Sequence, residues 1–94
     1  SLAYSLIKYG KITTGAEKAK ELRPFIEKLV TASRTNDRHA LLLVKTKIPM
    51  KGMAEKLMKT IAPKYKDRKG GYTRIVKLPV RKSDGSKRAV IEFV

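Results

Sequence analysis

The residues best suited to binding chemistry lie in one short segment, Arg68–Arg74. It reads Arg-Lys-Gly-Gly-Tyr-Thr-Arg and follows an apolar helical pattern that ends near Pro63. Glycines allow a tight turn that brings the backbone close to another surface, and the flanking cations suit a phosphate backbone. Tyr72 adds a ring of the kind that stacks on unpaired bases. The segment therefore predicts a contact with phosphates.

Purely structural interpretations, without a bound partner, fit the same segment. Gly70 and Gly71 could only supply positive φ in a helix-to-strand connection whose cations are solvated. A tyrosine at the start of a strand is more often partly buried and hydrogen-bonded through its hydroxyl, so for Tyr72 we favour packing over stacking. The segment is not a P-loop, because it lacks the Gly-x-x-x-x-Gly-Lys-Ser/Thr pattern and leads from helix to strand.

A second candidate phosphate site lies at the start of a predicted long helix. Thr14-Gly15-Ala16-Glu17 has the spacing of a capping box. The positive end of a helix attracts anions, although Glu17 and Glu21 weaken that field. The lysines near this end are Lys11, Lys18 and Lys20. A capped amphipathic helix without a ligand explains the same residues.

The C-terminal cations form a third candidate. They flank a turn and would give a basic hairpin: Lys77, Arg81, Lys82, Lys87 and Arg88. In one interpretation the hairpin tip reaches into RNA, and in the other it is a solvated sheet face.

Catalysis is not expected from this chain. It has no Cys, which excludes a disulfide scaffold and Cys-ligated zinc. His39 is the only histidine, and we predict a surface or capping role for it. The carboxylates are scattered among Lys and Arg as ionised partners. We therefore predict no enzyme activity, no metal, no cofactor and no small-molecule substrate.

The overall charge indicates an anionic partner. The 94 residues carry 23 Lys and Arg against 8 Asp and Glu, a formal net charge of +15. Self-repulsion of this size destabilises a compact state unless a partner neutralises it. Nucleic acid is the first candidate and a membrane surface the second. The longest apolar run, Ala40–Val44, is too short to span a bilayer, and no secretory signal is visible.

Hydrophobic periodicity predicts a helix, a strand and a long helix in the first third of the chain. The first helix ends at Gly10, and a brief strand follows over Lys11–Thr13. Apolar residues at helical spacing predict the long helix over Gly15–Ser33. Pro24 lies inside it and should kink it or split it in two, because proline removes a backbone donor.

Two further helices are predicted in the middle of the chain. Asn36 or Asp37 can cap a helix over Ala40–Lys47, which we favour over a buried strand. Pro49 then opens a helix that ends at Pro63. Its apolar stripe, which we assign to the core, consists of Met50, Met53, Ala54, Leu57, Met58 and Ile61.

A β-hairpin is predicted at the C-terminal end. An apolar face of Val76, Leu78 and Val80 alternates with Lys77, Pro79 and Arg81. Ser83–Gly85 is a turn signal and Arg88–Val94 the returning strand, while Pro79 requires a free edge or a bulge. The predicted fold is α+β with two layers, ordered helix–strand–three helices–two strands. A small mixed sheet lies against a helical layer in a single domain over residues 1–94.

Several segments resemble the bacterial large-subunit ribosomal protein seventeen family. The most specific match runs from Ile61 to Ile75, where Ala-Pro-basic-aromatic leads into Arg-x-Gly-Gly-Tyr-Thr-Arg-Ile. Ser5-Leu6-Ile7-x-x-Gly-Lys-Ile-x-Thr-Thr, Ala19–Arg23, Glu27–Val30 and Ala89–Val94 also match. Each piece is common alone, but their order and spacing are specific.

The resemblance implies a non-catalytic protein of the large ribosomal subunit. Its partners would be large-subunit ribosomal RNA and neighbouring large-subunit ribosomal proteins, with no membrane and no cofactor, on a cytoplasmic or organellar ribosome. RNA proximity is implied for the matching positions: Lys11, Thr13, Thr14, Lys20, Arg23, Arg68, Gly70, Gly71, Tyr72, Thr73 and Arg74. Lys18 and Lys69 join this candidate set as adjacent cations.

The sequence departs from the family in several places. The family's Arg- and His-rich N-terminal extension is missing, for which we expect trimming or disorder rather than true loss. Pro24 replaces an ordinary helix former, and Asp84–Arg88 replaces a more apolar turn. The middle, Ser33–Met50, matches poorly.

Three functional hypotheses result. The leading one is structural binding of folded ribosomal RNA through phosphates and shape, with little base readout. A sequence-nonspecific DNA-binding protein is the second, although no helix-turn-helix pair is evident. A membrane-surface protein is the third, although the chain has no Trp and its best apolar stripe should be covered.

Overall fold

A computed structural model describes residues 1–80 and 83–94. Its elements are α1 (Leu2–Tyr9), β1 (Lys11–Gly15), α2 (Ala16–Ser33), α3 (Arg38–Lys47), α4 (Met53–Lys56), β2 (Thr73–Lys77) and β3 (Arg88–Phe93). Helix α4 continues through a π-helical turn at Leu57–Ile61 and a 3-10 turn at Ala62–Tyr65. This order confirms the predicted α+β architecture.

The sheet has the strand order β1-β3-β2, and both neighbouring pairs are antiparallel. Central strand β3 places Ile91 opposite Ile12 of β1 and Ile75 of β2. Our prediction of a mixed sheet is therefore wrong. Strands β1 and β2 run parallel to each other, but β3 separates them, so the described residues form no parallel pair of neighbouring strands.

The hydrophobic core lies between the inner face of the sheet and the helices. Leu6 of α1, Ile26 and Val30 of α2, and Ile91 of β3 are completely or almost completely buried in one cluster. The stripe that begins at Met50 belongs to the core as predicted. Ala54, Leu57, Met58 and Ile61 are buried, and Met50 and Met53 pack against the cluster.

Several helix boundaries agree with the sequence. Gly10 ends α1 in the left-handed conformation, with φ of 83°. Asp37 rather than Asn36 caps α3, since its side chain accepts a 2.8 Å hydrogen bond from the Ala40 N–H. The favoured helical interpretation of Ala40–Lys47 is therefore confirmed. His39 is exposed on this helix.

The capping box predicted at Thr14 does not form. Thr14 remains in β1, where it pairs with Ala89, and Gly15 is the N-cap of α2 without a side-chain hydrogen bond. The sheet takes over the role of the cap, because the Ala16 N–H donates to the main-chain oxygen of Lys87 at 3.0 Å. Strand pairing thus extends β1 by two residues beyond the predicted end.

Pro24 does not split α2, which is continuous over Ala16–Ser33. The residue is exposed. The Lys20 carbonyl that loses its intrahelical donor therefore lies on the exposed side, where water can hydrate it.

The apolar face predicted for β2 is not the face that packs on the helices. Ile75 packs against the core, whereas Val76, Leu78 and Val80 are 44%, 37% and 56% exposed. Pairing of Ile75 with the buried Ile91 fixes which face is inner, and strict alternation then directs Val76 outwards. Arg81 and Lys82 of the predicted basic hairpin lie outside the described residues.

Two hairpin predictions agree with the described residues. The chain turns at Ser83 and Asp84, and the Asp84 side chain accepts a 2.9 Å hydrogen bond from the Ser86 N–H. Pro79 lies beyond the end of β2, which is an edge strand of the sheet.

Candidate nucleic-acid interface

The basic loop, defined as Arg68–Arg74, is held in place by one side of α2. Three polar side chains, Glu27 and Thr31 of the helix and Arg34 at its C-cap, contact this loop or the turn that leads into it. Their spacing of four and then three residues places them on one helical stripe. We call Glu27, Thr31 and Arg34 the polar stripe of α2.

Glu27 binds the backbone of the loop at its sharpest bend. One carboxylate oxygen accepts a 2.8 Å hydrogen bond from the Gly71 N–H. The other accepts 2.9 Å hydrogen bonds from the Tyr72 N–H, the Thr73 N–H and the Thr73 hydroxyl. Successive N–H groups that converge on one anion form a nest, and an ionised acceptor makes such hydrogen bonds short and strong.

The loop backbone therefore already has its anion. We expected the glycines to bring main-chain groups close to an external surface. Instead, the N–H groups of Gly71, Tyr72 and Thr73 point at Glu27. Positive φ is required at Gly71, where φ is 68°, but Gly70 has no positive φ. Contact with a ligand at this loop depends on side chains and on the exposed face of the two glycines.

Tyr72 packs inside the protein, as we favoured. Its side chain is fully buried, and its ring lies 5.2 Å from the Tyr65 ring. The hydroxyl lies 2.9 Å from the Thr31 hydroxyl and accepts a 3.3 Å hydrogen bond from Arg34. Thr73 is also buried. Both residues of the candidate set shape the loop from within and offer no side-chain surface for base stacking.

Arg34 and Arg68 complete the framework of the loop. Arg34 donates a 2.6 Å hydrogen bond to the main-chain oxygen of Lys66, while its own Nε is buried without an acceptor among the described residues. Arg68 donates a 3.1 Å hydrogen bond to the Gly71 oxygen across the bend. Its guanidinium also lies 5.8 Å from the centre of the Tyr65 ring. The Arg68 side chain is therefore exposed, but these two contacts restrict its position.

Tyr65 anchors the loop to the end of the sheet. Its hydroxyl donates a 2.6 Å hydrogen bond to the main-chain oxygen of Val94. Burial raises the pKa of Tyr65 above its ordinary value of 10.0, and the carboxylate of Glu27 acts in the same direction. The guanidinium of Arg68 opposes the shift.

On the outer face of the sheet, Arg74 of the loop lies in one row with Lys11 of β1, with β3 between them. Lys11, Glu92 and Arg74 occupy one row across β1, β3 and β2. Arg74 donates a 2.8 Å hydrogen bond to Glu92, yet its side chain remains 64% exposed. Thr13 lies on the same outer face, where it is exposed opposite Val90. Thr14 is half-buried on the other face, beside the helical layer.

The cations of α2 do not gather at one site. Lys18 and Lys20 lie about 200° apart around the helix. Lys18 lines a cleft beside α1 with Phe25 and Lys47, whereas Lys20 lines a groove beside the hairpin. Each is near a carboxylate of its own helix, Lys18 with Glu21 at 3.9 Å and Lys20 with Glu17 at 3.6 Å. Arg23 is exposed one turn further along.

Apart from the half-buried Thr14 and the buried Tyr72 and Thr73, the candidate set divides into three groups. Arg68, Lys69, Gly70 and Gly71 are exposed on the loop. The outer-face row adds Lys11 and Arg74, next to Thr13. The cations of the α2 start are separate from these, and Lys18 is on a different side of the helix from Lys20. In residues 1–80 and 83–94 no three metal-ligating side chains come together.

The polar stripe of α2 was missed from the sequence as part of the site. Glu27 was noticed only within a matching motif, and Thr31 and Arg34 were not singled out. Their four-and-three spacing beside the buried Ile26 and Val30 was a usable signal, because it marks one flank of the core face. Nothing local shows that this flank receives a loop from more than 40 residues away.

Comparison with known proteins assigns the chain to a family. The family model described as ribosomal protein L17 matches residues 1–94, including the poorly matching middle. The large ribosomal subunit protein bL17 of Helicobacter hepaticus is 49% identical over 100% of this chain and 81% of the relative. The protein of that name from Sulfurimonas denitrificans is 47% identical over 100% of this chain and 81% of the relative. The protein of that name from Campylobacter jejuni is 46% identical over 100% of this chain and 80% of the relative. This chain belongs to the ribosomal protein L17 family.

Proposed function

We propose that the protein is a structural constituent of the large ribosomal subunit and binds folded large-subunit ribosomal RNA. The observation that carries this proposal is the family match over residues 1–94. The relatives are named as large-subunit ribosomal proteins of bacteria, and the net charge of +15 suits a polyanionic partner. We expect no catalytic role, and expect the protein to act on the ribosome in the bacterial cytoplasm beside other large-subunit proteins.

Phosphate neutralisation by the basic loop is the binding mode that we favour. Lys69 and Arg68 lie exposed on the loop, and Arg74 and Lys11 extend the cationic surface across the outer face of the sheet. Because the ring of Tyr72 is buried, base stacking has no part in this mode. Such a surface recognises the shape and charge of folded RNA, with little base readout.

A salt series tests the proposal. The affinity of the protein for large-subunit ribosomal RNA is measured against duplex DNA of equal length from low to moderate salt. We expect a preference for the RNA that persists as salt rises, with a slope that reflects roughly 6–10 phosphates. Equal affinities that fall together would mean that charge alone drives binding, which would reject the RNA-specific role and favour nonspecific nucleic-acid binding.

Charge reversal connects the binding to the proposed surface. Lys69→Glu changes a cation of the loop, and Lys47→Glu makes the same charge change in the cleft beside α1. We expect the loop variant to lose more affinity for ribosomal RNA than the matched control. Equal losses of affinity in the two variants would contradict the proposed binding surface and would leave the family assignment unaffected.

A further inference from the structure

We propose that Glu27 is a positioning residue for RNA binding, because it acts as an internal anion that sets the shape of the basic loop. This inference rests on the proposed RNA-binding function. It gives an acidic side chain a positive contribution to the binding of a polyanion. General electrostatics predicts the opposite sign, so the two accounts can be separated.

The position of the Glu27 carboxylate is fixed by the core of the protein. Its neighbours on α2, Ile26 and Val30, are fully buried. The helix backbone at Glu27 is therefore anchored, and the carboxylate is held where the three N–H groups of Gly71, Tyr72 and Thr73 converge. A rigid helix thus determines the shape of the loop, whose residues before Thr73 belong to no helix or strand.

The loop needs this anion because of its own geometry. Gly71 adopts a φ of 68°, which directs successive N–H groups towards one point. Without an acceptor there, these donors would lose their partner, which is costly for the part-buried N–H groups of Tyr72 and Thr73. The loop would relax towards water or towards any phosphate within reach.

Loop shape in turn places the cations. Arg68 spans the bend through its hydrogen bond to Gly71, and Lys69 lies within the span. Arg74 is the second residue of β2 and follows the nest directly. If the nest opens, these three cations no longer share a fixed arrangement. Binding to folded RNA would then require the loop to be ordered at the expense of affinity.

The nest also decides what RNA phosphates do not contact. With the Glu27 oxygens 2.8–2.9 Å from these three N–H groups, the main-chain donors of Gly71, Tyr72 and Thr73 are not open to an external anion. RNA contacts at the bend are left to the side chains and to the exposed face of the glycines, while the internal carboxylate stands where a phosphate would sit in an anion-binding nest.

Glu27→Gln is the test variant. Glutamine keeps the size of the side chain but replaces one acceptor oxygen with an NH₂ group that faces other donors. It also raises the net charge by one. The matched control is Glu21→Gln on the same helix, where the carboxylate is 72% exposed and only approaches Lys18 at 3.9 Å. Both variants make the same charge change, and only one alters the loop.

Affinity for large-subunit ribosomal RNA and for duplex DNA is measured for the wild type and both variants. We expect Glu21→Gln to bind ribosomal RNA as tightly as the wild type or slightly more tightly. We expect Glu27→Gln to bind it roughly tenfold more weakly, since the loop is no longer preorganised. Its affinity for duplex DNA should not fall. Amide exchange of Gly71, Tyr72 and Thr73 should quicken in the free protein.

A milder variant covers the case in which Glu27→Gln fails to fold. Thr73→Val removes only the hydroxyl that donates to Glu27 at 2.9 Å and preserves the shape of a buried side chain. We expect a smaller loss of ribosomal RNA affinity in the same direction.

Two results separate this inference from the proposed function. If Glu27→Gln, or Thr73→Val in its place, binds ribosomal RNA as well as Glu21→Gln does, the positioning role is overturned while RNA binding stands. If the wild type does not prefer ribosomal RNA, the proposed function fails. The positioning role is then decided by whether Glu27→Gln weakens binding to either nucleic acid relative to Glu21→Gln.

Discussion

Two adjacent glycines in the basic loop have different structural roles. Gly71 has a φ of 68°, in a region that side chains rarely adopt, although a Cβ there would meet no atom within 4 Å. Gly70 has no positive φ, and its nearest neighbour would be a Glu27 oxygen at 3.9 Å. One position is constrained by backbone conformation and the other is not.

Substitution by alanine should therefore separate the two positions. We expect Gly71→Ala to lower the free energy of unfolding by about 1–2 kcal/mol, the cost of a left-handed conformation with a Cβ. Gly70→Ala is the matched control and should change it by less than about 0.5 kcal/mol. Urea unfolding of both variants measures this, and equal effects would contradict the assigned backbone roles.

The raised pKa of Tyr65 predicts a loss of stability in alkali. Because the folded protein keeps the Tyr65 proton above pH 10.0 while the unfolded chain releases it, unfolding becomes more favourable as the pH rises through that value. Tyr65→Phe should cost about 1 kcal/mol near neutral pH through the lost hydrogen bond. The difference in the free energy of unfolding between the wild type and Tyr65→Phe should become smaller above pH 10. Urea unfolding across a pH series measures it. A gap that widens would contradict the direction of the shift.

Residue roles with local causes could be predicted from the sequence, and those with distant causes could not. The burial of Tyr72 was predictable because a tyrosine at a strand start commonly packs and bonds through its hydroxyl. The role of Glu27 depends on a loop more than 40 residues along the chain. Only the tertiary fold brings the two together.

Elements were predictable wherever periodicity was strong. The apolar stripe that runs from Met50 to Ile61 follows from spacing, and a cap of α3 at Asn36 or Asp37 follows from residue type. The capping box at Thr14 failed because pairing with β3 held that residue in the sheet. The prediction of which face of β2 packs on the helices was wrong, because the pairing of Ile75 with the buried Ile91 determines the inner face. Strand pairing is the long-range contact that local patterns do not contain.

Helix α2 contains an element-scale weakness at Pro24. The helix is continuous through this exposed proline, so one backbone donor is missing from its hydrogen-bond pattern. Pro24→Ala restores a donor for the Lys20 oxygen and improves helix propensity by about 3 kcal/mol. The greater entropy of the unfolded chain offsets about 0.4–1 kcal/mol of this.

We expect Pro24→Ala to raise the free energy of unfolding by about 2–2.6 kcal/mol. Lys28→Ala, at an exposed position of the same helix, is the control and should stay within about 0.5 kcal/mol of the wild type. Thermal and urea unfolding provide the measurement. A destabilised Pro24→Ala would mean that the proline supports a bend that the fold requires.

At the scale of the whole molecule, charge should act in opposite directions on folding and binding. A net charge of +15 repels itself within 94 residues, and salt shortens the range of that repulsion from about 30 Å at 0.01 M to about 8 Å at 0.15 M. The same salt weakens binding to a polyanion.

We expect the free protein to gain resistance to urea unfolding between 0.01 M and 0.15 M NaCl while its affinity for ribosomal RNA falls. Sucrose at matched osmolality serves as an uncharged control for the stability measurement. A free protein that loses stability over this range would show that its internal ion pairs outweigh the repulsion.

Footprinting of the bound protein is the most direct test of the central claim, that the basic loop contacts ribosomal RNA. Lysines are acetylated in the free protein and in its complex with large-subunit ribosomal RNA, and the modification of each is compared. We predict strong protection of Lys69 on the loop and of Lys11 on the adjoining sheet face. Full reactivity of both lysines in a saturated complex would contradict the claim and place the RNA on another surface.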